Sequence, residues 1–189
     1  MRSLVILVTI LSAAACGDNE DGKLVYSNPP SGTGKLRLVK VGQTKDDVTL
    51  ALVVGNEALT GYSAGFNLPV GHGLVRLAEF TPGKALDPGS SPPAAHGAQP
   101  INGPLADNLV TAISQKATGT GSIETDTALP PKTVLYTLRL TVASTEADGV
   151  VFDGTAADFH LPSGGMRDRS GTTVVEPADV AIGKLEIHQ

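Results

Sequence analysis

The sequence predicts an all-β fold, a β-sandwich of about nine short strands. Three observations carry this. Val, Leu and Thr recur in short alternating runs. The 22 glycines and 13 prolines among 189 residues fall largely between those runs, where turns are needed. No window holds an amphipathic helix of three turns, and the runs follow one another at the spacing of a sandwich.

Lys35 to Val41, KLRLVKV, is the first strand of this reading, with Leu36, Leu38 and Lys40 opposite Arg37, Val39 and Val41. Gly42 to Asp47 is a polar turn. Val48 to Val54, VTLALVV, is apolar on both sides, as in a strand covered on both faces. Leu59 to Gly83 reads as two strands about the turn Pro69-Val70-Gly71-His72-Gly73. In the first, Tyr62, Ala64, Phe66 and Leu68 form a core face, and Ser63, Gly65 and Asn67 form the other. The second is Leu74 to Phe80. Gly83 to Leu105 is dense in Pro, Gly, Ser and Ala and is expected as a long loop.

Asn108 to Gln115 resumes strand character, Ala117 to Ile123 is a further candidate, and Glu124 to Lys132 reads as a loop. Thr133 to Val142 is the cleanest strand. Its core stripe is Val134, Tyr136, Leu138, Leu140 and Val142, with Thr137 and Arg139 facing the other way. Val150 to Asp153 and Ala156 to His160 are short strands, Ser163 to Gly171 is a turn, and Thr172 to Val175 and Gly183 to Ile187 close the domain.

The N-terminus reads as an address. Met1-Arg2-Ser3 is a positive n-region, Leu4 to Leu11 an apolar h-region, and Ser12 to Ala15 are small, which describes an export signal too short to span a membrane. The chain's only cysteine, Cys16, follows at once, as in a bacterial lipobox, where it is lipidated and becomes the first mature residue. A lipobox prefers Leu where Ala13 stands, and Ala13-Ala14-Ala15 also satisfies an ordinary signal-peptidase site, so a soluble exported protein is the alternative. Gly17 to Gly34 is polar and acidic and reads as a tether of roughly 25 Å if it is a flexible coil. The expected organisation is an export signal at 1–15, a lipid-anchored tether at 16–34 and one domain at 35–189.

Composition excludes several classes of chemistry. A net charge of −5 leaves no basic footprint for nucleic acid, and one cysteine excludes a disulfide framework or a multi-cysteine metal site. His72, His96, His160 and His188 are scattered, with no pair at ligand spacing. Asp158 and His160 share a face of one short strand, and Asp168 lies in a loop, but no metal and no cofactor is expected. Gly61-Tyr62-Ser63-Ala64-Gly65 matches G-x-S-x-G. A nucleophile elbow needs a sharp strand-to-helix turn, whereas Phe66 to Leu68 continue the alternation. Hydrolysis by Ser63, with Asp153 and His160 or His188, is therefore the least favoured alternative.

The order of parts resembles the bacterial cohesin domain of cellulosome scaffolds. An opening strand and turn lead to Val48–Val54, then Gly61-Tyr62 with its alternating strand, and then a strand ending in Thr81-Pro82-Gly83. The long Thr133–Val142 strand, a turn with Asp168 and Gly171, and a closing Gly-Lys-Leu-Glu-Ile follow. The resemblance covers roughly Leu36 to Ile187. It implies a nine-stranded jelly-roll sandwich and a non-catalytic role in binding a protein partner of the envelope or cell surface. Cohesins commonly carry Tyr-Asp-Pro after the third strand, where Leu68 and Pro69 stand here, which argues against a dockerin as that partner. Candidate partner-facing residues are Ser63 and Asn67 on one strand and Thr137 and Arg139 on another. Related sandwiches serve as carbohydrate-binding modules, but a chain without Trp and with only Tyr26, Tyr62 and Tyr136 offers little aromatic surface for sugar stacking.

Overall fold

Alternating apolar positions from two five-stranded sheets meet in one core. They do so in a computed structural model that describes residues 23–71, 73–86, 95–100, 108–115, 125–144, 148–154 and 165–189. Fifteen short strands appear among these residues. They begin with β1 (Leu24–Ser27), β2 (Leu36–Gln43), β3 (Asp47–Val54), β4 (Leu59–Gly61) and β5 (Ser63–Pro69). Next come β6 (Val75–Pro82), β7 (Ala95–Pro100), β8 (Asn108–Ser114), β9 (Thr127–Leu129) and β10 (Val134–Val142). The last are β11 (Gly149–Phe152), β12 (Gly165–Arg167), β13 (Thr173–Val175), β14 (Val180–Ala181) and β15 (Lys184–Ile187), with one 3-10 turn at Pro177–Asp179.

One large sheet has the order β14-β2-β3-β10-β6 and the other β13-β12-β5-β8-β7, while β1-β15-β11 and the pair β4-β9 complete the set. All described strand pairs are antiparallel except β14 with β2. The chain is thus all-β, with the layered character of a β-sandwich.

Period-2 alternation accounts for the core. Leu36 and Leu38 of β2, Val48, Leu50 and Leu52 of β3, and Tyr136, Leu138 and Leu140 of β10 are all fully buried. Ala64, Phe66 and Leu68 of β5 and Leu109 and Ile113 of β8 face them from the second sheet, within the same cluster. Each Leu so buried contributes about 1.5–3 kcal/mol relative to exposure. A buried polar contact joins the sheets at the centre. Thr111 Oγ1 donates to Phe66 O at 2.9 Å and lies 2.7 Å from Tyr136 Oη. Because the Thr111 hydrogen is already committed, Tyr136 is the donor across the sheets.

Several expectations are corrected. The tether expected at 16–34 does not extend to Gly34, because Leu24–Ser27 pairs with β15 and places Leu24 and Tyr26 at zero exposure. A short polar context hid this strand, whose partner lies at the other end of the chain. The expected long loop after Gly83 contains β7, whose backbone pairs with β8. Likewise β9 lies in the expected 124–132 loop, and β12 in the expected 163–171 turn. Strand segments outnumber the nine expected because such short edge pieces carry little hydrophobic signal.

The β10 stripe also breaks at its start. A register shift between Val134 and Tyr136 makes Leu135 an extra residue, so Leu135 and Tyr136 are both buried and Val134 is exposed. A second register shift at Lys40/Gly42 leaves Val41 unpaired, exposed on the outward side that its alternation with Leu36 and Leu38 already gives it. Tyr62, expected in the core face, is only half-buried, since it lies between β4 and β5 rather than in a strand. The candidate strands at Ala117–Ile123 and Ala156–His160, and the export signal with Cys16, lie outside the described residues.

Burial raises the phenol pKa of both Tyr26 and Tyr136 well above the ordinary value, which sets an alkaline limit on stability. The folded state holds these protons after the unfolded chain has lost them. Stability is therefore unaffected below the unfolded pKa of about 10 and falls as pH rises above it. At pH 11 each tyrosine is expected to remove roughly 1.4 kcal/mol. Urea unfolding at pH 9 and pH 11 measures this, and the drop should be about halved in Tyr136→Phe.

Candidate functional site

Among the described residues a concave surface lies on the outer face of the β13-β12-β5-β8-β7 sheet. Alternation leaves Ser63, Gly65 and Asn67 of β5 pointing out, because Ala64, Phe66 and Leu68 point in. Register then sets them beside outward residues of the neighbouring strands. Arg167, Ser63 and Ser114 form one row across β12, β5 and β8. Gly165, Gly65 and Ala112 form the next, continued in register by Gly97 of β7. Asn67 and Val110 pair in the row beyond.

The middle row has almost no side chain, so it sinks below its neighbours and makes a transverse trough of about 190 Å³. Pockets for drug-sized ligands run to roughly 300–1,000 Å³, so this one is small and shallow for a small-molecule site. Among the described residues Arg167 is the one charged residue lining it. Its guanidinium donates to Gly171 O at 2.8 Å, which holds the side chain over the β12–β13 turn. That turn is rigid in its own right. Asp168 Oδ1 accepts from Ser170 N–H, the Ser170 hydroxyl and Thr172 N–H at 2.6–2.9 Å. The Ser170 hydroxyl, with backbone N–H donors, holds the Asp168 carboxyl below its usual pKa. This oxygen is thereby committed to the turn. Among the described residues no cluster of three metal-ligating side chains occurs.

The four candidate residues do not share a surface. Phe66 and Tyr136 meet in the core with ring centroids 6.4 Å apart, so their strand neighbours Asn67 and Thr137 point to opposite outer faces. Ser63 and Asn67 belong to the trough, whereas Thr137 and Arg139 lie on the far side of the sandwich. There Arg139 is paired with Asp47 at 3.1 Å and Glu79 at 3.4 Å. Trough residues that the sequence did not single out are Ala112, Ser114, Gly165 and Arg167. The alternation of Asn108 to Gln115 carried a signal for Ala112 and Ser114. Nothing local marked Gly165 and Arg167.

Ser63 opens β5 in extended chain, and Gly61 ends β4, so the G-x-S-x-G run is not an elbow. His188 follows β15 at the opposite end of the strands, beside Lys23. His160 lies outside the described residues. Tyr26 and Tyr136 are wholly buried, which leaves Tyr62 as the only tyrosine with partial exposure.

No protein-family model matches the chain, and neither a curated protein nor a solved structure is similar to it.

Proposed function

We propose that the chain is a non-catalytic, envelope-anchored lipoprotein whose cohesin-like, jelly-roll domain binds a protein partner through the trough. The observation that carries this is the row Gly165–Gly65–Ala112, flanked by Ser63, Ser114, Asn67 and Arg167. A shallow surface, more apolar than polar and with little side chain in its floor, lets another backbone come close. Arg167 suits a partner that presents a carboxylate at that end. A polysaccharide would need exposed rings that these tyrosines do not supply. The jelly-roll reading is supported by the connectivity. Successive strands cross between the two large sheets at β3 to β5, β5 to β6, β6 to β7 and β8 to β10, and β14 returns parallel to β2.

Ala112→Arg fills the trough from its floor without touching the core. Pull-down from envelope extract with the soluble domain should retain a specific protein that the variant loses by more than about tenfold, with unchanged thermal melting. Equal retention by both proteins would count against this face. No specific partner under varied salt and calcium would count against protein binding itself.

A further inference from the structure

Only Gly17 to Gly22 separate Cys16 from Lys23, the first described residue. Lys23 N–H donates to Lys45 O at 2.6 Å, and Lys23 O accepts from His188 N–H at 2.8 Å. The chain therefore enters the sandwich beside the β2–β3 turn and the end of β15. The same end carries Val142, whose N–H donates to Asp46 O, and Ala143, whose N–H donates to Leu74 O. Gly149 opposes Ile187 there. The opposite end holds Gly55, which donates to Lys35 O, and Lys132, which donates to Val54 O.

Resting on the lipoprotein reading, we infer that the domain is held end-on to a phospholipid bilayer. The Lys23–Lys45–His188 end faces the headgroups, and the Gly55–Lys132 end points away. Seven Cα steps from Cys16 to Lys23 reach at most about 25 Å. Gly65 lies four residues from Pro69, which is at the membrane end of β5, or about 13 Å along the strand. The trough thus stands within about 40 Å of the headgroups. The facing end mixes Lys23 and Lys45 with Asp46 and Asp47, and Lys23 lies 3.9 Å from Asp46. Opposed charges make this a geometric tether, not an electrostatic one, so the orientation is insensitive to salt.

The test uses the acylated full chain in phosphatidylethanolamine–phosphatidylglycerol vesicles containing an acceptor-labelled lipid. Acylation consumes the only native thiol, so Lys45→Cys or Glu57→Cys carries the donor dye alone. The two sites are about 25 Å apart along the strands, and transfer should be roughly twofold stronger from position 45 than from position 57. The difference should persist in high salt and shrink when a Gly/Ser insertion after Gly22 lengthens the leash. Equal or reversed transfer from vesicle-bound, acylated protein overturns the orientation alone. A wild-type protein with a free Cys16 thiol that fails to float with vesicles overturns the anchoring, and the orientation with it.

Discussion

Tyr26→Ala is expected to destabilise the domain by about 3–5 kcal/mol from lost ring packing, with a further 1–3 kcal/mol from orphaned hydrogen-bond partners. Tyr26 is fully buried on β1, and its ring packs against Phe152 at a centroid distance of 6.2 Å. Its hydroxyl donates to Leu38 O at 2.9 Å and accepts from Gly183 N–H at 2.6 Å. One side chain thus ties β1, β2 and the approach to β15 together. Domains of this size have roughly 5–15 kcal/mol in total, so the variant should be largely unfolded or close to it. Tyr26→Phe keeps the ring and removes only the hydroxyl, so it should cost about 1–3 kcal/mol. Urea midpoints at pH 7 separate the two. If Tyr26→Ala lies within about 1 kcal/mol of wild type, β1 is not part of the cooperative unit, and the domain begins at β2.

The second large effect is at Gly165. Its φ is +102°, and a Cβ there would collide with the Val175 carbonyl oxygen across the β12–β13 pair. Gly165→Ala therefore adds backbone strain of about 1–3 kcal/mol to a clash that only backbone movement relieves. A total loss of more than about 3 kcal/mol is expected. Because β12 supplies one wall of the trough, the same change should abolish the partner binding proposed for it even where folding survives at low temperature. Gly171→Ala is the matched control. Its φ is +86°, but nothing lies within 4 Å of the added carbon, so it should cost only about 1–2 kcal/mol. Similar losses at the two positions would show that conformation alone, and not the approach of Val175, sets the need for glycine at Gly165.

Side-chain alternation made much of the core legible. Leu36 and Leu38, Ala64, Phe66 and Leu68, and Tyr136, Leu138 and Leu140 are buried as their spacing implies. The signal is local, because successive side chains of a strand must point to opposite faces. It failed where strands are short and their partners distant. Leu24–Ser27 sits in a polar stretch and becomes a strand only because β15 lies open to pair with it. In β7 the segment Ala-His-Gly-Ala-Gln-Pro, poor in strand propensity, is recruited by the edge of β8. Bulges were equally invisible, so Leu135 turned in where Val134 was expected.

The candidate site divides along the same line. That Ser63 and Asn67 face outward follows from the spacing of β5 by itself, as does the outward direction of Thr137 and Arg139 on β10. Which outward faces coincide does not. Alternation separates inside from outside but carries no label for the sheet, so residues on opposite walls of a sandwich look alike in sequence. Only register brought Gly165 and Arg167 beside Ser63 and Gly65, across about a hundred residues of chain. The sequence by itself determined an all-β chain with a two-faced strand at Ser63–Pro69. Tertiary pairing decided where the domain begins, which small residues line up into a trough, and that Arg139 is bound to Asp47 and Glu79 on the other side. Strand pairing is a long-range choice made by open edges and shared burial, and neither is written in any one segment.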